Sequence, residues 1–198
     1  CRSYSSFIMA IQDIFPTPIG RYDLDEDLYS IQEWCYSEAE KSAGRLYSNV
    51  SGWQSNSYHP KDRLNLPINN LFVEIKKRSY EMFSALGIHN EPNIWDSWVN
   101  INPTGGYNRV HNHPRCKVSG VFYIKSTNTS DSGNITFIRN DSYALSTICN
   151  DQSSSYSTPI VTFTPRENHL ILFPAHIDHF VEQNQTDEDR ISISFNIV

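Results

Sequence analysis

Residues 190–198 read Arg-Ile-Ser-Ile-Ser-Phe-Asn-Ile-Val, so Ile191, Ile193, Phe195 and Ile197 alternate with Arg190, Ser192, Ser194 and Asn196. Successive side chains of a strand point to opposite faces, and this period of two defines a strand with one apolar and one polar face. Two arrangements satisfy it. The polar face can lie in water, or helices can cover the apolar face while the polar face lines an interior pocket.

The rest of the second half has the same character. From Ile94 onward, β-branched and aromatic residues fall in short runs separated by turn residues: Trp95–Ile101, Lys117–Lys125, Asn134–Ile138, Ile160–Thr164, Leu170–Phe173 and His179–Glu182. Short strands at this spacing indicate a sandwich, jelly roll or small barrel. The polar, Ser-rich segment Asn140–Thr158 reads as an exposed loop, and a loop of that length in a compact domain is often functional.

The first half keeps a different period. Leu24, Leu28, Ile31 and Cys35 are spaced as on one helix face, which predicts a helix from Leu24 to about Ala39. Pro67 suits a first helical turn, Phe72, Ile75, Met82 and Leu86 continue the repeat, and Gly87 supplies a stop. The Ser/Asn/Gly stretch Ser48–Pro60 between the two helices reads as loop. Residues 1–92 are thus expected to form a helical part that packs on a β core over 93–198, as one compact domain.

Composition limits the function. The chain has 198 residues, 38% hydrophobic and 13% aromatic, with a net charge of −6, enough to bury a sizeable core. It has no Lys/Arg block, so no general nucleic-acid or anionic-membrane surface is indicated. No apolar run approaches the roughly 20 residues of a membrane span, and no secretory signal is visible. The chain begins at Cys1, as a fragment or a processed chain would. Cys1, Cys35, Cys116 and Cys149 are scattered, with no paired spacing, and read as thiols in a cytoplasm-like compartment. Five N-x-S/T sequons, at Asn49, Asn128, Asn134, Asn140 and Asn184, read as chance in a chain rich in Asn and Ser.

Two histidine pairs stand out, His111-Asn-His113 and His176-Ile-Asp-His179. Residues i and i+2 of a strand share a face, so His111 and His113 can converge on one ion, and an imidazole from a distant strand would complete a facial set. Two histidines and a carboxylate with open positions is the usual non-haem Fe(II) arrangement. Three neutral imidazoles leave the full charge of the ion to be balanced by a dianionic ligand. A lone HxH pair also occurs by chance. His176-x-Asp178 spells the commoner HxD motif, but too little chain follows it for the strands that must precede a distal ligand, so His179 is the better distal candidate. His176 and Asp178 read as loop residues. The polar segment Gln183–Asp189 predicts that the strands starting at His179 and Arg190 pair as a hairpin, with the Arg190 guanidinium beside the ligand histidine. A rigid cationic fork there suits a bidentate carboxylate contact. Beside Asp187, Glu188 and Asp189, Arg190 also fits an ordinary surface arginine.

The chain resembles the 2-oxoglutarate/Fe(II) oxygenase superfamily, and within it a family common in marine bacteria and their phages. The matching stretches are Ile14-Phe-Pro-Thr-Pro-Ile19, Ser51-Gly-Trp-Gln-Ser55, Trp98-Val-Asn-Ile-Asn102, Gly106-Tyr-Asn-Arg-Val-His-Asn-His-Pro114, Ser119-Gly-Val-Phe-Tyr123, Leu172-Phe-Pro174 with His179, and Arg190-Ile-Ser-Ile-Ser-Phe-Asn196. The resemblance implies a double-stranded β-helix core (jelly roll, cupin-like) with helices packed on one face. It implies metal ligands His111, His113 and His179, and Arg190 as anchor for the 2-oxoglutarate carboxylate, with Tyr123 nearby. Asn102, Asn108, Ser119 and Asn196 are further pocket candidates. The implied activity is hydroxylation of an unknown substrate with Fe(II), O₂ and 2-oxoglutarate, releasing succinate and CO₂, in the cytoplasm of a bacterium or phage-infected cell. The sequence leaves open whether the chain forms a homodimer. Loops Asn140–Thr158 and Ser51–Pro60 are candidate lids. The superfamily usually has HxD or HxE, so His113 departs from its pattern. A cupin-type metal enzyme that does not use 2-oxoglutarate, or a non-enzymatic jelly-roll phage or binding protein, are the competing expectations.

Overall fold

The computed structural model describes residues 15–141, 154 and 156–198. In chain order the elements are β1 (Gly20–Asp23), α1 (Leu28–Lys41), β2 (Asn49–Val50), β3 (Trp53–Gln54), α2 (Asn69–Ala85), β4 (Ile94–Asn102), β5 (Tyr107–His111), β6 (Val118–Lys125), β7 (Ile135–Ile138), β8 (Ile160–Phe163), β9 (His169–Pro174), β10 (His179–Val181) and β11 (Arg190–Ile197). The strands form two antiparallel sheets, ordered β1-β9-β6-β11-β4-β3 and β2-β5-β10-β7-β8. They face each other as a double-stranded β-helix.

The alternation in β11 explains the layering. Ile191, Ile193, Phe195 and Ile197 are buried in one cluster with Ile31 and Cys35 of α1 and Leu71, Phe72, Ile75, Met82 and Phe83 of α2. The helices therefore cover the outer face of the larger sheet. The opposite face of β6 and β9, with β7 of the facing sheet, supplies a second cluster, with Val121, Tyr123, Phe137, Ile171 and Phe173. Ser192, Ser194 and Asn196 also turn to that side and line a cavity between the sheets. Of the two arrangements open to the last strand, the interior pocket is the one found.

The helices differ from expectation at their ends. α1 starts at Leu28, one turn late, because Asp27 caps it by accepting from the Ser30 amide at 3.3 Å. Leu24 instead donates its amide to the Asn168 carbonyl at 2.8 Å. α2 ends as expected at Gly87, whose φ of +68° allows the paired bonds Ile88 N–H to Phe83 C=O (2.8 Å) and Gly87 N–H to Ser84 C=O (3.1 Å).

Three short strands were not anticipated in the first half. β1 joins the larger sheet at its edge, while β2 and β3, inside the expected loop Ser48–Pro60, join different sheets. Asn49 holds this crossover. Its Oδ1 accepts from the Tyr47 amide at 2.8 Å, and its Nδ2 donates to the carbonyls of Arg45 (3.1 Å) and Gly52 (3.0 Å). Ser55 and Tyr58 then bond to the β4 backbone at Val99 and Ser97, so residues 51–60 extend the sheet edge rather than forming a free flap. The other expected lid, Asn140–Thr158, lies mostly outside the described residues.

The expected β10–β11 hairpin is not formed. β10 pairs with β5 and β7, whereas β11 pairs with β4 and β6 in the facing sheet. The segment between them crosses from sheet to sheet. Asn184 fixes that crossing by donating to the carbonyls of Asn102 (2.9 Å) and Glu188 (2.7 Å). A polar, turn-rich segment signals a reversal of the chain, but not whether the returning strand rejoins the same sheet.

Candidate metal centre and adjoining cavity

His111 and His179 are register partners across the β5–β10 ladder. Their ring centroids are 4.4 Å apart. His113 lies two residues beyond the end of β5, and its ring is 5.1 Å from that of His111 and 5.2 Å from that of His179. One ligand atom from each of the three lies within 4.8 Å of the others, and among the described residues they form the sole group of three or more His, Cys, Asp or Glu so arranged.

The local chain explains the convergence. The turn after β9 and the segment after β5 are joined by the His113 amide to the Ala175 carbonyl (2.9 Å) and the Ala175 amide to the Lys117 carbonyl (3.0 Å). Asn112, between the two histidines of the motif, donates to Asp178 Oδ1 at 2.7 Å. Asp178 thus stands outside the cluster and ties its two segments together. His176 is exposed in the turn.

Backbone carbonyls also fix the rings. His111 Nδ1 lies 2.7 Å from the Arg109 carbonyl, and His179 Nδ1 lies 3.0 Å from the Ile177 carbonyl. A carbonyl can only accept, so each Nδ1 carries the proton and each neutral ring keeps its lone pair on Nε2. Burial keeps the rings neutral. It lowers His111, takes His179 down to about 4 with help from His111, and takes His113 down to about 3 with help from His179 and His111. Phe173 and Phe137 pack on the His179 ring at 4.7 and 5.9 Å, and Trp98 lies 5.8 Å from His113.

The cavity beside this cluster has a volume of about 350 Å³. Arg190, 2% exposed, lines it from β11. Its Nη1 donates to the carbonyls of Gly133 (2.8 Å) and Ser132 (3.3 Å), while its buried Nε has no partner. Among the described residues no carboxylate pairs with it. Burial pulls the guanidinium down to about 10, so it stays charged at neutral pH. Tyr123, on the neighbouring strand β6, is also buried, and burial pushes its phenol up to about 12. A buried cation with an unsatisfied N–H, beside a protonated phenol, fits a carboxylate.

The structure brings together His111, His113, His179, Arg190, Tyr123, Asn108 and Asn196 around the cavity. Asn102 and Ser119 stand one layer behind it. Asn102 Nδ2 is 3.4 Å from Asn108 Oδ1, and the Ser119 hydroxyl donates to Asn196 Oδ1 at 2.8 Å. Arg190 reaches the cavity from the facing sheet, not from a strand beside His179. Sequence reasoning missed Asp96, Trp98 and Asn100, which line the cavity from β4. The signal was there, because they alternate in step with Asn102.

A family model described as "Putative 2OG-Fe(II) oxygenase" matches residues 96–196. Among solved structures, a Pseudomonas putida prolyl-4-hydroxylase is similar at TM-score 0.66 and 12% identity, over 91% of this chain and 92% of that one. The non-haem α-ketoglutarate-dependent epimerase SnoN from nogalamycin biosynthesis gives a TM-score of 0.67 at 12% identity, over 92% of this chain and 78% of that one. A viral collagen prolyl hydroxylase from Paramecium Bursaria Chlorella virus-1 gives 0.57 at 12% identity, over 90% and 94%. At such identities these likenesses concern the fold. A search of curated protein sequences finds no significant match. The family match runs from β4 through β11 and takes in every histidine of the cluster as well as Arg190, and the chain belongs to the 2OG-Fe(II) oxygenases, enzymes that use non-haem iron and 2-oxoglutarate.

Proposed function

We propose that His111, His113 and His179 hold the iron, that Arg190 with Tyr123 holds the far carboxylate of 2-oxoglutarate, and that the enzyme hydroxylates its substrate. The observation that carries this is the placement of three neutral imidazoles, His179 buried and His111 and His113 half-buried, and a buried arginine without a carboxylate partner on one cavity.

Iron bound there, with 2-oxoglutarate and O₂, supplies the oxidation: one oxygen atom goes to the substrate C–H bond and the other to succinate, with loss of CO₂. The protein residues do the rest. The Arg109 and Ile177 carbonyls hold the His111 and His179 rings with Nε2 free. Three neutral donors leave the ion's charge uncompensated, and a dianionic co-substrate balances it. Arg190 offers its unpaired Nε–H, and Tyr123 keeps its hydroxyl proton to donate. Phe137, Phe173 and Trp98 exclude water around the rings.

Anaerobic addition of Fe(II) and then 2-oxoglutarate tests this. A visible charge-transfer band from the chelated keto acid is expected, followed on admitting air by one succinate per O₂ consumed. Folded, iron-loaded protein without the band would overturn the assignment.

The same reading takes residues 1–92 and 93–198 as one domain, with the enzyme working in a cytoplasmic compartment and with no nucleic-acid partner. Among the described residues no helix is long and apolar enough to cross a membrane, and Cys35 and Cys116 are free thiols. Limited proteolysis tests the first point, and light scattering tests whether the chain is a monomer or a homodimer.

A further inference from the structure

The cavity is electrically polar along its length. Within β4, Asp96, Trp98 and Asn100 all line it. The β4–β11 register orders the rungs: Asn196 faces Asp96, Ser194 faces Trp98, Ser192 faces Asn100 and Arg190 faces Asn102. From Arg190 to the Asp96 rung the sheet advances six residues, about 20 Å at roughly 3.3 Å per residue. Trp98, 5.8 Å from His113, marks the level of the histidine cluster between them. Apart from the histidines, Arg190 and Asp96 are the charged side chains on the lining.

Two side-chain oxygens on β4 stand without a hydrogen-bond donor. Asp96 Oδ1 is buried with no partner. Asn100 is 6% exposed and donates through Nδ2 to Ser194 Oγ at 3.0 Å, yet its Oδ1 also has no partner. Buried polar atoms are normally satisfied, and leaving one unpaired costs about 1–3 kcal/mol. At the end of the cavity away from Arg190, the orphaned Asp96 oxygen points to a ligand that brings a donor, whereas Asn100 stands on the rung beside Arg190.

The protein does not neutralise Asp96 from its own side. Burial pushes its carboxyl up, and Asn196, His59 and Arg63 pull it only partly back. Arg63 spends its N–H groups on the Ile94 carbonyl (2.7 Å) and Ser97 Oγ (3.2 Å), and His59 Nδ1 meets the Trp95 carbonyl at 3.1 Å. Neither forms an ion pair with Asp96.

We infer that the substrate is an aliphatic amine carried as its ammonium ion, with Asp96 as counter-charge and the Trp98 face along its stem. An indole face attracts cations, and an ammonium group supplies donors without presenting an acceptor. The polarity also sorts the two ligands. A dianionic keto acid is drawn to Arg190 and repelled by Asp96, and an ammonium ion is sorted the opposite way. With Asp96 about 7 Å from the Trp98 rung, oxidation falls on a carbon several bonds from the nitrogen. A cavity of about 350 Å³ that also holds 2-oxoglutarate admits a side chain or a small amine. The position of the oxidised carbon rests on the iron site proposed above; the charge preference of the cavity does not.

The test uses n-hexylammonium, n-hexanol and n-hexanoate, titrated by NMR into the whole protein, both metal-free and loaded anaerobically with Fe(II) and 2-oxoglutarate. Hexylammonium is expected to bind at least tenfold tighter than hexanol, and hexanoate weakest. Asp96→Asn is expected to bring ammonium and alcohol within about twofold, and Asp96→Glu to keep part of the preference. The wild-type ranking needs no variant, and hexanol or hexanoate binding as tightly as hexylammonium overturns the inference. So does an Asp96→Asn protein that keeps the full preference. The charge-transfer band, read in the same loaded sample, separates the two claims. A band with no ammonium preference overturns the amine alone. A missing band overturns the iron and 2-oxoglutarate placement, and the metal-free titration still decides the amine.

Discussion

Gly133 packs against the guanidinium of Arg190: a Cβ built on it would stand 2.6 Å from Arg190 Nη1 and would collide with the Glu182 carbonyl oxygen. Its φ of +86° lies where L side chains are rare. The same residue offers its carbonyl to Nη1 at 2.8 Å. Gly133→Ala should therefore displace the arginine as well as strain the turn. The expected result is a loss of about 1–3 kcal/mol in stability and a raised KM for 2-oxoglutarate. Urea unfolding and a co-substrate titration would show both, and an unchanged KM would mean that the arginine tolerates the shift.

Arg190 itself is expected to act on co-substrate affinity. A hydrogen bond to a charged group is worth about 1.5–3 kcal/mol, so Arg190→Met should raise the dissociation constant of 2-oxoglutarate by roughly 10–150-fold. Arg190→Lys should recover only part of this, because a point charge does not reproduce the planar fork. Anaerobic titration of the charge-transfer band measures both variants. Iron content should stay at the wild-type level, since the guanidinium is outside the histidine cluster.

For the metal, His111→Ala and His179→Ala should each abolish stoichiometric iron binding while leaving the far-ultraviolet circular dichroism unchanged. His113→Asp should keep iron, because a carboxylate at that position restores the usual facial set, and the anion should reduce the charge left for 2-oxoglutarate to balance. Iron analysis after gel filtration gives the ranking. Full iron retention in His179→Ala would remove the centre from this site.

The pH dependence has a definite sign. His179 is 3% exposed and its folded pKa is about 4, well below the ordinary 6.5. Between those values the unfolded chain binds a proton that the folded chain refuses, so stability is full above about 6.5 and is lost as pH falls toward 4. The slope is about 1.4 kcal/mol per pH unit for this one histidine. His113, held down to about 3, acts in the same direction. Metal-free protein unfolded in urea at pH 7, 6 and 5 should show the decline, and His179→Gln should flatten it.

Much of this was legible in the sequence because it was periodic. The alternation in residues 190–197 predicted a two-faced strand and left its layering open, and the helical spacing of Phe72, Ile75 and Met82 predicted α2, whose apolar face covers that strand. The distant partners His111 and His179 were found from ligand chemistry and chain order. What periodicity misses is partner choice. β2 and β3 are two residues each, too short to show a period, and the polar link from β10 to β11 carries no mark of which sheet receives it. Asp96 and Asn100 share the strand period of Asn102, but the unpaired oxygens that single them out exist only in three dimensions.

The split of β2 and β3 between the sheets has one more consequence. Tyr47, Ser48, Gln54 and Ser57 line the cavity at this edge, where fewer than ten residues of chain belong to both walls. The walls are stitched together there, so this seam cannot gape to admit a larger guest. Breathing that lets substrate in and product out is expected away from this seam.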